Sequence, residues 1–383
     1  MMAGGTLEQI RRDLHEIPEL ALHEFKTHAY LMQVIMALPQ TWLTIKTLPE
    51  LPTAILVHVK GSWPRKTIGY RADMDGLPIT EATELPFASR HAGIMHACGH
   101  DFHMTIALGL LTHFATQQPQ DNLVFFFQPA EEAEYGGKRA FDLGAFTGMW
   151  QPDEFYALHI NPALPVGQIA TRQGTLFAGS TEIHVTFTGR GGHAAYPHKT
   201  ADALVAGAMF VNQIQTIVSR NVDPVHGGVV TLGTFQAGTA GNVIAETAHL
   251  DGTLRAFSQP DLMLMQARVR AIVDGICLAM DVTADLTLTQ GGYMPVVNHP
   301  ETTKALIEAM LQAETIEITE IAPAMTGEDF GFLLQQFDGT MVWLGVDDPT
   351  HGLHDAQLQP NEAALTAGVA AFEHYLTARM QQA

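Results

Sequence analysis

The sequence is poor in cysteine, in basic residues and in long apolar runs, and each shortage excludes a class of protein. Its 383 residues include two cysteines, too few for a framework of disulfide bonds. Lysine and arginine number 20 against 40 acidic residues, and the formal net charge of -20 argues against nucleic acid as a partner. No apolar run approaches the roughly 18 residues that span a bilayer, and the start of the chain lacks a basic segment followed by an apolar one. We therefore expect a cytoplasmic protein with no nucleic-acid or membrane partner.

The rest of the composition is that of a folded protein with a substantial core. Hydrophobic residues make up 46% of the chain and charged residues 16%, and the length is comfortable for two domains. Histidine is abundant, with 19 residues, and its imidazole can bind metals, shuttle protons or titrate near neutral pH. Most of these histidines need no such role, so a site must be argued from motifs.

Two patterns divide the chain. From about residue 6 to 175, helical stretches alternate with short apolar strands such as "TAILVHV", "TIGYRA", "LVFFF" and "FYALHI", which predicts a largely parallel sheet covered on both faces. The segments from "TEIHVTFTG" to "VTADLTLTQ" follow the β-α-β-β-α-β order of a ferredoxin-like domain. We therefore predict an α/β protein, with a mostly parallel-sheet domain at 1–177 and 291–383. An inserted ferredoxin-like α+β domain, a natural lid, occupies 178–290.

Polar side chains follow the predicted strands of the first domain where each strand ends. Asp73 and Asp75 follow "TIGYRA", "QPAEE" follows "LVFFF", and His159 ends "FYALH". A further strand, "TMVWLGV", precedes "HGLHDA". Open α/β sheets bind their ligands outside the carboxyl ends of the strands. The pattern therefore predicts one site at one edge of the sheet.

The stretch "HACGHDFH" at residues 96–103 is the densest cluster of potential metal ligands. Cys98 and His100 are two residues apart, so their side chains point the same way if the segment is extended, and together they could hold a soft to borderline transition metal. The alternative is a buried thiol beside a helix-capping Asp101. His96 and His103 receive no assigned chemistry.

The adjacent glutamates of "QPAEE" favour the metal interpretation. Glu131 and Glu132 follow a buried strand, so they must either be solvated or share a cation. One of two such carboxylates can bind a metal while its neighbour stays free as a base. The chain thus offers enough candidate ligands for one or two divalent ions with open positions for water. These candidates are Cys98, His100, Glu132, His159 and His354.

Six motifs resemble those of the metal-dependent amidohydrolases that include hippurate hydrolases and auxin-conjugate hydrolases. They are "RRDLHEIPEL", "YRADMDGLPI", "MHACGHD", "QPAEE", "GRGGHAAYPH" and "MTGEDF". The resemblance runs from about residue 8 to 378 without large gaps, and it is much more specific for the family than for a substrate. It implies a metallohydrolase catalytic domain and an inserted lid or dimerisation domain, a homodimer, and one or two divalent ions per subunit. Zinc, cobalt, nickel and manganese all suit the mixed ligands.

Carried to this sequence, the resemblance implies a role for each candidate. The five residues above would bind the metal, and Glu131 would be the general base. Asp73 would be the supporting catalytic acid, although spacing alone does not separate it from Asp75. Metal binding lowers the pKa of water towards about 7, and Glu131 would accept the remaining proton as the water attacks an amide carbonyl.

The resemblance also implies substrate-binding residues in the inserted domain. His193 in "GGHAAYPH" would donate to the oxyanion, and Asn242 and Arg255 would hold a carboxylate, for which the planar fork of arginine is suited. The alternatives are a simple loop histidine and an exposed or interface arginine. Glu328 and Asp329 of "MTGEDF" would support the site or contact a substrate amine, with helix capping as the competing role.

Within the family, several stretches favour members that act on an N-acetylated amino acid. These are "IRRDLHEIPELALHEFKT", "MHACGHDFHMTIALG", "QTIVSRNVDP", "AMTGEDFGFLL" and "VWLGVD". The favoured small-molecule substrate carries a second ammonium and a second carboxylate and loses acetate. The alternatives are a broader, hippurate-like N-acyl-amino-acid amidohydrolase and a metallo-exopeptidase. A binding module that has lost catalysis is disfavoured, because the base and all candidate ligands are present.

Overall fold

The structure, a computed structural model, describes residues 6–313 and 315–382. It divides into two compact units, each with its own core. Unit 1 comprises the described residues of Met1–Leu176, Val296–Ala322 and Phe332–Ala383, and unit 2 comprises Phe177–Pro295 and Pro323–Gly331. Among the described residues, no helix combines the length and the apolar composition needed to cross a bilayer.

The second segment of unit 2 corrects the predicted boundaries. The sequence pattern places Pro323–Gly331 with the parallel-sheet domain, but this segment belongs to unit 2. The backbone N–H of Ala178 donates to the carbonyl oxygen of Ala324 at 3.1 Å, and Arg255 Nη1 donates to that of Met325 at 3.1 Å. The segment is an extended connection without periodicity, so its sequence carries no sign of these contacts.

The strands alternate with helices through most of the chain. The described strands are β1 (Leu43–Leu48), β2 (Leu51–Val59), β3 (Thr67–Asp73), β4 (Asn122–Gln128), β5 (Glu154–Asn161), β6 (Ile169–Thr171), β7 (Gly174–Phe177), β8 (Gly179–Thr188), β9 (Gly192–His193), β10 (Gly228–Ala237), β11 (Val243–Ile244), β12 (Thr247–Ala256), β13 (Thr283–Thr289), β14 (Val296–Asn298), β15 (Ile318–Glu320) and β16 (Asp338–Gly345). The described helices are α1 (Leu7–His15), α2 (Phe25–Met36), α3 (His100–Thr116), α4 (Gly136–Asp142), α5 (Ala203–Ile214), α6 (Thr216–Asn221), α7 (Gln259–Met280), α8 (Pro300–Leu311), α9 (Phe330–Leu333) and α10 (Ala363–Gln381).

Unit 1 is built on a mixed sheet whose described strands lie in the order β1-β2-β4-β3-β5-β16-β6-β15. The central strands β4, β3, β5 and β16 pair in parallel. The pairings of β1 with β2, of β2 with β4 and of β16 with β6 are antiparallel. The prediction of an α/β fold with a largely parallel sheet is confirmed, with antiparallel strands added towards both edges.

The central strands are buried on both faces, which explains their continuous apolar runs. In β4, the residues from Leu123 to Gln128 are all buried, and β3 is buried along its whole length. The long helix α3 connects β3 to β4, as parallel neighbours require a crossover. Because these strands run in the same direction, their carboxyl ends lie at one edge of the sheet, where β3 ends at Asp73 and β4 at Gln128.

Unit 2 has a four-stranded antiparallel sheet in the order β10-β12-β8-β13. Along the chain its elements follow the predicted split β-α-β order, with α5 and α6 before β10 and α7 before β13. Strand β8 alternates buried and exposed side chains, as expected for a sheet with one covered face. The helices α5 and α7 contribute Phe210, Leu262 and Val269 to the core of this unit.

Candidate active site

The sequence-predicted side chains of unit 1 meet at the carboxyl edge of its sheet. The candidate ligands fall into overlapping groups whose ligand atoms all lie within 4.8 Å of one another. One group joins Cys98, His100 and His159, and a second joins Cys98 to Glu132 and His354. Two further groups also contain His100: one joins it to Asp73 and His103, and the other joins it to Glu131 and Glu132. All five predicted ligands and both predicted catalytic acids are therefore brought together.

Cys98 and His100 reach the cluster by a turn rather than along an extended segment. Gly99 has a φ of 84°, and His100 is the first residue of α3. The condition considered from the sequence, an extended segment that aligns the two side chains, is therefore not met, although the two side chains do converge. A Cβ atom on Gly99 would lie 2.2 Å from Cδ1 of Ile160, so both the positive φ and the close packing require glycine here.

Replacing Gly99 by alanine should destabilise the protein by about 2–5 kcal/mol. The change adds left-handed backbone strain, which costs about 1–2 kcal/mol, to overpacking against Ile160, which costs about 1–3 kcal/mol. Thermal and denaturant unfolding would measure the loss. Gly352 is the matched control, because it has an ordinary φ and no atom within 4 Å of its Cβ position, so Gly352→Ala should change stability little. Equal stability of the two variants would contradict this account of the turn.

His159 presents a lone pair to the cluster. Its Nδ1 lies 2.9 Å from the carbonyl oxygen of Ile160 and must donate its proton there, since a carbonyl has none to give. Nε2 is then the unprotonated nitrogen, and it lies 3.3 Å from Sγ of Cys98. A backbone carbonyl that fixes the ring in this way is typical of metal-binding histidines. Burial, together with the neighbouring His103, lowers the pKa of His159, so the ring is neutral as a ligand must be.

His100 lies among carboxylates. Its Nδ1 is 3.4 Å from Oδ1 of Asp75, while Nε2 is 3.7 Å from Oδ2 of Asp73, 3.9 Å from Oε2 of Glu131 and 3.8 Å from Oε1 of Glu132. Burial alone would lower the pKa of His100, but the charges of Asp73, Asp75 and Glu132 outweigh it and raise that pKa to about 10. The cluster therefore attracts positive charge strongly.

The pKa of the Cys98 thiol reflects the same excess of negative charge around it. Burial and the charges of Glu132, Glu131 and Asp73 raise the pKa of this thiol well above its ordinary value. A thiolate at this position needs a cation beside it.

The donor set fits a divalent transition metal. Within the described residues, Nε2 of His100 and Oε1 of Glu132 are buried and form no hydrogen bond. Buried polar atoms are normally satisfied, so these two atoms mark a site for a ligand. One thiol, imidazoles and adjacent carboxylates in overlapping groups suit zinc, cobalt, nickel or manganese.

The structure distinguishes the two aspartates that the sequence leaves open. Oδ1 of Asp75 accepts the N–H of Glu131 at 3.0 Å, and Oδ2 accepts that of Glu132 at 2.9 Å. Asp75 thus holds the backbone of both glutamates. Asp73 instead accepts a hydrogen bond from Arg71 Nη1 at 2.6 Å and contacts His103. Burial would raise the pKa of Asp73, but His100, Arg71 and His103 hold it well below its usual range.

His103 is a site residue that the sequence analysis missed. The N–H of Ile160 donates to its Nε2 at 3.0 Å, so Nδ1 carries the proton and donates to Oδ1 of Asp73 at 2.6 Å. His103 therefore orients Asp73 without contacting solvent. A signal was present, because His100 and His103 are three residues apart on α3 and lie on the same helix face.

The other polar residues of "HACGHDFH" lie outside the group of ligands. Asp101 accepts hydrogen bonds from Arg11 Nε at 2.8 Å and from His15 Nδ1 at 2.8 Å. It is the second residue of α3, whose N-cap is Gly99, and its Oδ1 accepts the N–H of Phe102 in the first turn at 3.1 Å. The helix-end role of Asp101 is thus exerted from inside the first turn and not from the N-cap. His96 is buried, burial lowers its pKa to about 3, and it stays without assigned chemistry.

The residues predicted to bind substrate lie in unit 2. His193 on β9 pairs with Val243 on β11, and the N–H of Ala194 donates to the carbonyl oxygen of Asn242 at 3.1 Å. The predicted donor His193 and Asn242 are thus neighbours, and both are exposed. Arg255 lies half-buried on β12.

Glu328 and Asp329 are buried in the second segment of unit 2. Oε1 of Glu328 accepts the N–H of Phe330, the first residue of α9, at 3.0 Å. This contact matches the alternative helix-end role that the sequence left open.

The fold and the buried cluster define a metal-dependent hydrolase. Residues 69–378 match Peptidase family M20/M25/M40, and the chain belongs to this family. It is 55% identical over 379 residues to the N-acetyldiaminopimelate deacetylase of Lacticaseibacillus casei (strain BL23), with 99% of each chain covered. It is 54% identical over 382 residues to the enzyme of the same name from Oenococcus oeni (strain ATCC BAA-331 / PSU-1), with 100% of each covered. A crystal structure from Bacillus subtilis, described as a dinuclear metal binding peptidase of the M20 family, superposes with a TM-score of 0.83 at 28% identity, covering 98% of both chains.

Proposed function

We propose that this chain hydrolyses the acetyl amide of N-acetyl-LL-diaminopimelate to LL-diaminopimelate and acetate in lysine biosynthesis. The observation that carries the proposal is the buried cluster, which sets Glu131 beside the candidate ligands Glu132 and His100. Deacetylases at 52–55% identity, matched along the full chain, support the acetyl amide as the substrate.

The proposed metal ligands comprise a thiol, imidazoles and a carboxylate. They are Cys98, His100, Glu132, His159 and His354, and we propose that they hold one or two divalent ions of zinc, cobalt, nickel or manganese. When bound, such an ion polarises an amide carbonyl and makes water more acidic. The thiol and the imidazoles favour borderline metals, while Glu132 adds charge to the site.

Glu131 is the proposed general base and later the general acid. It is 4% exposed, so its carboxylate is shielded from bulk water at the edge of the sheet. It removes a proton from the water molecule that attacks the acetyl carbonyl carbon. As the C–N bond breaks, Glu131 returns that proton to the amine nitrogen, because an amine does not leave as its anion. The products are acetate and the free amine, and Glu131 is regenerated.

Asp73 is the proposed supporting catalytic acid, and it acts through its neighbours. Arg71 and His103 fix its two oxygens, and its charge lies 3.7 Å from Nε2 of His100. Asp73 thus places a fixed negative charge beside the nitrogen of His100 that faces the cluster, where this charge would favour a bound cation. Asp75 holds the backbone of Glu131 and Glu132. Its Oδ1 also lies 3.4 Å from Nδ1 of His100, the side on which an outer partner of a metal-binding histidine lies.

We propose that three residues of unit 2 bind the substrate. His193 would donate to the oxyanion of the tetrahedral intermediate, and Asn242 and Arg255 would hold the carboxylate next to the acetylated nitrogen. The guanidinium fork suits this role, since it can bond both oxygens of a carboxylate. In a chain with a net charge of -20, a local cation is needed to hold an anionic substrate.

The proposal includes how the protein is organised. Unit 1 is the catalytic domain, and unit 2 is a lid and dimerisation domain of a homodimer. A cytoplasmic location follows from the proposed biosynthetic role, since the substrate of such a pathway is made inside the cell.

A substrate panel tests the proposed function. The metal-loaded protein should release acetate and diaminopimelate in equal amounts from N-acetyl-LL-diaminopimelate. Hippurate and unblocked dipeptides, which represent the broader amidohydrolase and the exopeptidase, should be turned over at least about 100-fold less efficiently, because a site built around polar groups rejects substrates that leave those groups unpaired. Turnover of hippurate or dipeptides without acetate release would contradict the proposal.

A further inference from the structure

A buried glutamate outside the cluster contacts the turn that carries Glu131. Glu24 has no exposed surface and precedes α2, more than 100 residues from the turn. Its Oε1 accepts the backbone N–H of Ala130 at 2.8 Å and that of Leu22 at 3.0 Å. Its Oε2 accepts from Oγ1 of Thr53 at 2.9 Å.

Two carboxylates together hold consecutive backbone N–H groups of this turn. Glu24 accepts the N–H of Ala130, while Asp75 accepts those of Glu131 and Glu132 at 3.0 and 2.9 Å. Ala130 has a φ of 59°, a left-handed conformation that costs roughly 1–2 kcal/mol for a residue other than glycine. Such a conformation persists only where its surroundings fix it. Glu24 supplies the contact at the strained residue itself.

The loop that contains Glu24 also contacts the segment of the second carboxylate. The N–H of Gly76, which follows Asp75, donates to the carbonyl oxygen of Glu19 at 2.7 Å. The loop from Glu19 to Glu24 is thus bonded both to the turn at Ala130 and to Gly76, the residue directly after Asp75. These bonds therefore fix the position of the turn at Ala130 relative to the segment at Asp75 and Gly76.

We propose that Glu24 is a positioning residue that fixes Glu131 by accepting the N–H of Ala130. The inference rests on the proposed function for the role of Glu131 as the base. Without Glu24, the N–H of Ala130 would be buried with no acceptor, and the left-handed residue would relax. The carboxylate of Glu131, one residue later, would then lose its fixed position.

The contact does not need a charged glutamate. Burial and the charge of Asp75 raise the pKa of Glu24 to about 7, so near neutral pH the carboxyl is partly protonated. Because Oε1 already accepts two N–H groups, the proton belongs on Oε2, where it can be donated to Thr53. Glutamine has the same arrangement, with an acceptor oxygen and a donor in place of Oε2.

The full-length, metal-loaded protein carrying Glu24→Ala tests the proposal against Glu24→Gln. We expect Glu24→Ala to lower kcat about 10- to 100-fold with little change in KM, since a small misplacement of a catalytic group has effects of this size. Glu24→Gln should restore kcat to within about 3-fold of the parent, because it keeps the hydrogen bond to Ala130. Equal kcat in the alanine variant and the parent would overturn the proposal, and so would an equal loss in both variants.

Amide hydrogen exchange of a peptide spanning residues 128–135 is the second readout. Exchange at Ala130 and Glu131 should be faster in Glu24→Ala than in the parent and unchanged in Glu24→Gln. Glu19→Gln is the matched control in the same loop, since the Glu19 side chain bonds Lys26 and Thr27 at the start of α2 and not the turn. It should leave both kcat and exchange of the turn unchanged.

The two readouts separate this proposal from the proposed function. If N-acetyl-LL-diaminopimelate is not a substrate, the exchange experiment still decides whether Glu24 fixes the turn. If Glu24→Ala showed faster exchange but no change in any measured turnover, Glu24 would hold the turn without positioning Glu131 for catalysis, and the proposal would be overturned. Unchanged exchange in Glu24→Ala would overturn the proposal whatever the substrate is.

Discussion

Replacing Glu131 by glutamine should lower kcat for N-acetyl-LL-diaminopimelate about 10²–10⁴-fold, the usual contribution of a general acid–base group. Glutamine has the same shape but cannot take a proton from water or return one to the amine. The bound metal should stay, because Glu132 and not Glu131 is the proposed ligand. Steady-state acetate release gives kcat, and metal analysis of the same sample gives the occupancy.

The control for this variant is Glu134→Gln. Glu134 is an exposed glutamate three residues further on that pairs with Arg139, so its replacement removes the same charge near the same turn without touching the cluster. Glu134→Gln should keep the parental kcat. If Glu131→Gln kept full activity with full metal occupancy, the base would have to be another residue. If it lost the metal, Glu131 would be a ligand.

Replacing His100 by alanine should abolish tight metal binding and deacetylation together. His100 is shared by most of the candidate groups, and the carboxylates around it would be left without the nitrogen that lies between them. The loss of metal affinity should exceed the 10–100-fold, roughly, that loss of an outer partner of a metal ligand typically costs. Competition with a metal chelator would measure the affinity.

His354→Ala repeats this test at a position where folding is less at risk. Its side chain is 51% exposed and 3.4 Å from Oε1 of Glu132, so its removal leaves the core of unit 1 unchanged. It should also weaken metal binding and lower kcat. His113→Ala on α3 is the control, because His113 contacts Glu373 and lies outside the candidate groups. Unaltered metal affinity in both His100→Ala and His354→Ala would remove the cluster as the metal site.

The location of the site could be predicted from the sequence, because each apolar strand gives way to polar residues where it ends. The runs before Asp73, Glu131 and His159 are continuous, and buried parallel strands must lie side by side. Adjacent strand ends then bring their polar residues together. The same logic does not apply to Cys98, which precedes α3, and its place in the cluster depends on the turn at Gly99.

The residues that support the site were harder to predict, because their contacts are with the backbone. Glu24 bonds an N–H group more than 100 residues away, and backbone groups leave no mark on sequence patterns. The segment Pro323–Gly331 joins unit 2 through backbone bonds of the same kind. His103 could have been found, since its spacing from His100 on a helix is visible in the sequence.

The choice between Asp73 and Asp75 shows the limit of spacing as evidence. They stand two residues apart at the end of the same strand, and their hydrogen-bond donors are what separates them. Asp73 accepts hydrogen bonds from the side chains of Arg71 and His103, whereas Asp75 accepts those of the glutamate backbone. Which donors each aspartate meets depends on the backbone conformation after β3, and the residue type alone does not reveal it.

Anomalous diffraction from crystals of the active, metal-loaded protein would test the central claim most directly. Data collected above and below the absorption edge of the metal locate each ion independently of activity. We predict one or two peaks within about 2.0–2.3 Å of Sγ of Cys98 and of imidazole nitrogens of the cluster, the usual ligand distances for such ions. An occupied metal elsewhere in the chain, with no peak between Cys98, His100 and His159, would contradict the account.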